Sequence, residues 1–211
     1  MAQQTNVSHL PSVHTSETQT ETHIEEREHG ITNRKTAMWL FLGSEVMFFS
    51  VLIAGFLYAR VLHPEVHGVL NIPLTSLNTF LLLTSSFTVV RSLAAIEEGN
   101  QLKFARSIAL TGLLGTIFLG IQFFEYMNLV HEGLALNGTT QASIFGMAFF
   151  SLTGFHGFHV LIGVLWTGRI FWNALNGKYT KDDHFDVEFY GLYWHFVDVV
   201  WIFIFTIVYL M

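Results

Sequence analysis

The chain has 211 residues and not one cysteine, which excludes disulfides, thiolate metal sites and thiol nucleophiles. Charge is scarce as well. Asp, Glu, Lys and Arg make up 12% of the residues, where a soluble domain carries about 25%. Residues 1–30 contain no Phe, Trp or Tyr and so have nothing with which to bury a core; they read as a polar, flexible tail. That tail lacks an apolar stretch followed by a cleavage site, so it is not read as a removable leader. The net charge of −6 is modest and comes partly from an acidic tail, which argues against nucleic acid as a partner. There is no internal repeat, and no link between apolar runs is long enough for a separate soluble domain.

What the chain has in abundance is hydrocarbon: 51% hydrophobic residues, 15% aromatic, and 21 phenylalanines. Five runs, 37–59, 72–96, 108–130, 142–168 and 189–211, reach the roughly 20 apolar residues that a bilayer crossing needs. A backbone in lipid must satisfy its own hydrogen bonds, so each run is expected to be a helix. The expected fold is all-α: a polytopic membrane protein with a polar cytoplasmic tail over 1–36 and a five-helix transmembrane domain over 37–211. Basic residues set the orientation. Arg27, Arg34, Lys35, Arg91, Lys103, Arg106, Arg169, Lys178 and Lys181 fall on the side of the tail, and only Arg60 on the other. The N-terminus is therefore expected in the cytoplasm and Met211 outside.

In such a chain the polar residues within the spans carry the information, because lipid makes them expensive. Glu45 lies in "FLGSEVMFFS", Glu125 in "IQFFEYMNLV", His156 and His159 in "TGFHGFHVLIG", and His195 with Asp198 in "WHFVD". Both pairs are spaced i,i+3, which presents two polar groups on one helical face. At 1.5 Å per residue, Glu45, His159 and Asp198 each lie about 12–13 Å from the cytoplasmic ends of their spans, a common level. Glu125 lies apart, within about two turns of the outer surface.

Three chemistries fit such a layer. It can be a structural network in which His159, Asp198 and Glu45 satisfy one another and lock helices together. It can be a proton-exchanging site built on a buried carboxyl. A metal site is the third, although di-iron bundles use more carboxylates than this layer offers. Other features have plainer readings. Gly112, Gly115, Gly120, Gly146, Gly154, Gly157 and Gly163 are expected to let helices approach closely. Trp39, Trp172, Tyr179, Tyr193 and Trp194 are expected in an interfacial belt. Arg91 and Arg169 are expected to anchor cytoplasmic helix ends.

Taken together, "YWHFVDVVWIF", "GFHGFHVLIG", "SEVMFF", "LNTFLLLTSS" and "QFFEY" resemble subunit III of the haem–copper respiratory oxidases, in that family's order, from about Ala37 to the C-terminus. The link "HFDVEFYGLYWHFVD" likewise resembles the family's His-Phe-x-x-Glu stretch before its last helix, matching His184 and Glu188. The resemblance implies a non-catalytic subunit that carries no cofactor, with haem and copper in partner subunits. It implies packing against the catalytic subunit I and other oxidase subunits, support of sustained turnover and of proton uptake, and binding of membrane phospholipid. The family's carbodiimide-sensitive glutamate would be Glu45; His156, His159, His195, Asp198 and Glu125 match its other buried polar positions. Two leading helices of the family's seven-helix form have no counterpart, so either another subunit supplies their wall of the lipid cleft or the cleft is open. A bacterial inner (cytoplasmic) membrane is the expected location. Two functions of other classes stay open on the residues alone: an independent proton or ion transporter, and a membrane metallo-oxidase using "HGFH". The first would need a polar path, yet the outer half of the last span offers only Thr206 and Tyr209. The second would need more histidines near the cytoplasmic face than His184.

Overall fold

The computed structural model describes residues 13–62, 71–131, 141–181 and 183–211. The chain divides into two compact units, Met1–Phe41 and Leu42–Met211. The described part of the first is helical from Val13 onward, and the second holds the candidate site described below. Five helices follow one another: α1 (Val13–Leu62), α2 (Ile72–Glu97), α3 (Gln101–His131), α4 (Gln141–Leu175) and α5 (Phe185–Phe205), with a terminal π-helical turn over Thr206–Leu210. No strand occurs among the described residues. All five helices are long and apolar enough to cross a membrane.

Each helix extends past the apolar run that announced it at one end or both, and α5 gives way to the π-helical turn before its run ends. The reason is local: intrahelical hydrogen bonds continue until a cap stops them, and the caps lie in the polar flanks. At the start of α2 the Asn71 side chain accepts from Leu74 N at 3.2 Å, with a proline in the first turn. Its end is set by Gly99, whose φ of 76° is a conformation that glycine adopts without steric cost. That turn lets Gly99 N bond Ile96 O and Asn100 N bond Ala95 O. Asn100 Oδ1 then accepts from Lys103 N at 3.0 Å and begins α3, which makes the α2–α3 hairpin tight.

Helices α2, α3, α4 and α5 close a ring in which each touches its two neighbours. The centre is filled by side chains of α5. Trp194 is fully buried, and its ring occupies the space left by two glycines on facing helices. A methyl group at Gly115 would lie 2.8 Å from Trp194 Cη2, and one at Gly163 closer still to the same ring. The indole is fixed from the third side by its Nε1–H, which donates to Ser85 Oγ at 2.9 Å. Trp201 repeats the device one level along, donating to Thr79 Oγ1 at 2.9 Å. Trp194 and Tyr193 are therefore core residues, contrary to the interfacial placement expected from the sequence; Tyr179 is also buried, while Trp39 and Trp172 are exposed. The glycines divide similarly. Gly115 and Gly163 admit a tryptophan and Gly112 faces Thr167, whereas Gly120 and Gly157 meet open space.

Candidate functional site: the buried polar groups

The face that α2 turns inward is unusual for a membrane helix because it is hydroxyl-rich: Thr75, Asn78, Thr79, Ser85, Thr88 and Ser92 are all buried. Each hydroxyl is first satisfied by a carbonyl one turn earlier, as Thr79 is by Thr75 O and Ser92 by Val89 O. Hydroxyl oxygens so anchored still accept, and the α5 tryptophans use them.

Glu45 on α1 meets His159 on α4, with Oε2 3.1 Å from Nε2; the two side chains are 19% and 11% exposed. His159 Nδ1 lies 2.8 Å from Phe155 O. A carbonyl only accepts, so Nδ1 carries a hydrogen, and one proton is shared between Nε2 and the Glu45 carboxyl. The pair is a single-proton link between two helices. The carbonyl of His159 also receives the Tyr193 hydroxyl at 3.0 Å, tying α5 into the same point.

His195 turns the other way. Its Nδ1 bonds the Ser86 hydroxyl of α2, and Ser86 also lies near the Asp198 carboxyl. Neither Asp198 oxygen has a hydrogen-bond partner among the described residues. His156 is 1% exposed. It stacks on Trp201 at 4.8 Å and takes Phe118 edge-on at 5.9 Å, with neither ring nitrogen hydrogen-bonded among the described residues. Thus the expected common layer resolves into separate groups: Glu45 with His159, His195 with Ser86 and Asp198, and His156 alone among aromatic rings. Phe49 sits against His159 at 5.1 Å and against Phe196 at 6.4 Å, an apolar spacer on that side.

Toward the opposite end of the bundle, Glu125 is buried and its Oε1 lies 3.0 Å from Thr75 Oγ1, whose single hydrogen is divided between that carboxyl and Asn71 O. Tyr126 donates to Thr153 Oγ1 at 2.7 Å. Arg60 donates to Ile207 O at 2.7 Å and so holds the π-helical turn to α1. At the start of α5, His184 Nε2 lies 3.5 Å from Glu188 Oε1, an i,i+4 pair at the helix entrance. Nearby, outside the spans, Tyr179 packs edge-on against Phe104. Burial raises its pKa above the usual tyrosine value, and the Asn173 amide that donates to its hydroxyl counteracts this.

Among the described residues no three His, Asp or Glu side chains gather as a metal ion would need. His156, the most enclosed imidazole, has aromatic rings where a second ligand would stand. Haem or copper ligation does not fit the donors among the described residues.

Comparison with known proteins identifies the arrangement. The family model for cytochrome c oxidase subunit III matches residues 8–211. The chain belongs to the cytochrome c oxidase subunit III family. It is 38% identical over 184 residues to cytochrome c oxidase subunit 3 of Bacillus subtilis (strain 168), covering 85% of this chain and 86% of that one. It is 39% identical over 178 residues to quinol oxidase subunit 3 of the same organism, covering 82% and 84%. A cytochrome c oxidase subunit 3 from Synechocystis is 37% identical over 177 residues, covering 82% and 73%. As a family member the chain is a multi-pass membrane subunit of a haem–copper oxidase, in complex with other oxidase subunits. Relatives named for either electron donor stand at the same distance from it. Within "LNTFLLLTSS", Thr79, Ser85 and Ser86 lie on the face of α2 on which Trp201, Trp194 and His195 land.

Proposed function

We propose that this chain is the non-catalytic subunit III that packs against the haem- and copper-bearing subunit I of a proton-translocating oxidase in a bacterial inner membrane. In this reading residues 1–36 form a cytoplasmic tail, residues 37–211 the membrane domain, and Met211 faces outward. The chain stabilises the catalytic subunit, binds membrane phospholipid and supports proton uptake, while haem and copper stay with its partners. The observation that carries the reading is the Glu45–His159 link. It is a titratable pair held across two helices and left 19% and 11% open at the side of the bundle, where a neighbouring subunit or lipid reaches it. A polar pair of this kind stabilises helix association by about 1 kcal/mol, so its first role is to fix α1 against α4.

The test is deletion of the chain from an otherwise intact oxidase. The remaining complex should keep its haem spectrum and initial turnover but inactivate sooner during continuous turnover. Stoichiometric haem or metal in the purified chain, or loss of the haem spectrum on its deletion, would overturn the assignment.

A further inference from the structure

Ser86 differs from every other hydroxyl residue of α2. From Thr75 to Ser92, each of the other serines and threonines bonds a backbone carbonyl three or four residues earlier, the arrangement by which a helix ordinarily absorbs such a side chain. Ser86 instead bonds Nδ1 of His195 on α5, so its hydroxyl is kept for side chains. Asp198, three residues along the same face of α5, is 3% exposed. Neither of its oxygens holds a formed hydrogen bond among the described residues, and the hydroxyl beside the carboxyl is that of Ser86. His195 is half-buried. Its Nδ1 is turned in to Ser86, which leaves the ring edge that carries Nε2 to the flank between α2 and α5.

A hydroxyl both donates and accepts, so it can pass a proton on. The Glu45–His159 pair lacks this property. There Nδ1–H rests on Phe155 O, and a carbonyl passes nothing further, so that pair ends in the backbone. The other titratable groups around α5 are engaged elsewhere: Tyr190, two turns back on α5, with Thr167, His159 with Glu45, and His156 with the rings of Trp201 and Phe118. No lysine or arginine pairs with the Asp198 carboxyl among the described residues. Ser86 thus stands alone between a buried acid and a half-open imidazole.

We infer that Asp198, Ser86 and His195 form a proton-exchange unit that carries a proton between the buried carboxyl and water at the flank of the bundle. The inference deepens, and rests on, the reading of the chain as a subunit that supports proton uptake. With the carboxyl protonated, Asp198 donates to Ser86 Oγ, Ser86 donates to His195 Nδ1, and Nε2–H points to the flank. Release moves each hydrogen one place. The carboxyl hydrogen passes to Ser86 Oγ, the Ser86 hydrogen passes to Nδ1, and the Nε2 hydrogen leaves to water. What remains is an Asp198 carboxylate accepting from Ser86, which accepts from Nδ1–H, with Nε2 bare. One proton has left, no bond between heavy atoms has changed, and uptake is the reverse sequence.

The experiment follows hydrogen–deuterium exchange of the Asp198 carboxyl by infrared spectroscopy in the intact complex, its C=O band being identified by its loss in Asp198→Asn. In deuterated water the band should shift well before the slow fraction of backbone amides, which waits for the helices to open. Ser86→Ala and His195→Phe should each slow that shift on the order of a hundredfold, the scale on which a positioned proton carrier acts. Ser86→Thr, which keeps the hydroxyl, should restore it. A hydroxyl that only held α2 to α5 would leave the rate unchanged or, by loosening the helices when lost, raise it. The inference is overturned if no carboxyl band is lost in Asp198→Asn, or if the wild-type band waits for the slow amides. Exchange in Ser86→Ala as fast as in the wild type, or in Ser86→Thr as slow as in Ser86→Ala, overturns it too. The wild-type comparison decides the matter even where a variant fails to assemble. The optical spectrum of the same preparation separates the two readings. Absence of haem refutes the oxidase assignment, whereas a haem-bearing complex whose Asp198 carboxyl exchanges only with the slow amides refutes the relay.

Discussion

Gly115→Ala and Gly163→Ala should each destabilise the protein, whereas Gly120→Ala and Gly168→Ala, five residues further along the same two helices, should not. The first pair abut Trp194, with 2.8 Å from the added methyl to Cη2 at Gly115 and less at Gly163. The ring cannot retreat, because a glycine-lined helix stands on each side and its Nε1–H is held by Ser85. Overpacking a close-fitted core costs about 1–3 kcal/mol per site. For a chain of this length that corresponds to about 2–4 °C in melting temperature per kcal/mol. At Gly120 and Gly168 the methyl meets nothing within 4 Å, so the better helix propensity of alanine should leave stability unchanged or raise it by up to about 1 kcal/mol. The assay is thermal loss of native tryptophan emission in detergent. Trp194→Phe supplies the control on mechanism. It removes the edge that the methyl strikes, so Gly163→Ala should cost less in the Trp194→Phe background than in the wild type, a coupling that a double-mutant cycle measures directly. Equal melting of all four alanine variants, or strict additivity with Trp194→Phe, would refute the wedge.

Glu45→Gln should preserve assembly and turnover, since an amide N–H still donates to His159 Nε2, whereas Glu45→Ala should cost about 1–3 kcal/mol by leaving that nitrogen unpaired; strongly impaired proton uptake in an assembled Glu45→Gln complex would make the pair a relay instead. A hydrophobic carbodiimide should modify Glu45, which is partly open at membrane depth, ahead of Glu97 and Glu98 outside the apolar zone, as read by peptide mapping. Burial raises the Tyr179 pKa, so the proton-bound form is favoured in the fold. Its contribution is complete below the ordinary tyrosine value of about 10, is lost as pH rises through the folded value, and should vanish from the alkaline stability limb in Tyr179→Phe. Arg60→Ala should speed amide hydrogen exchange across Thr206–Leu210, because it removes the 2.7 Å bond to Ile207 O; unchanged exchange would leave that bond without a role.

Hydropathy sufficed for the five helices because lipid enforces one solution for any apolar run of sufficient length. It did not give their ends, which are decided by single residues such as Asn71, Gly99 and Asn100. The polar residues were equally visible, but only their depth was. Rise along a helix follows from counting, whereas the azimuth of each side chain depends on how neighbouring helices are rotated. That is why His159 and His195, within about one helical turn of each other in depth, face different partners, Glu45 on α1 and Ser86 on α2. Trp194 was misplaced for a related reason. A tryptophan near a helix end suits an interfacial belt by type, and its burial follows only from glycines at 115 and 163 being brought face to face across it. Those glycines could be read as small-residue contacts in sequence; which of the seven admit a ring and which meet open space is a property of the assembled bundle. The hydroxyl face of α2 is the instructive omission. Its 3.6-residue spacing was present in "LNTFLLLTSS", and in a lipid-embedded helix a polar stripe marks the inward side as reliably as an apolar stripe does in water.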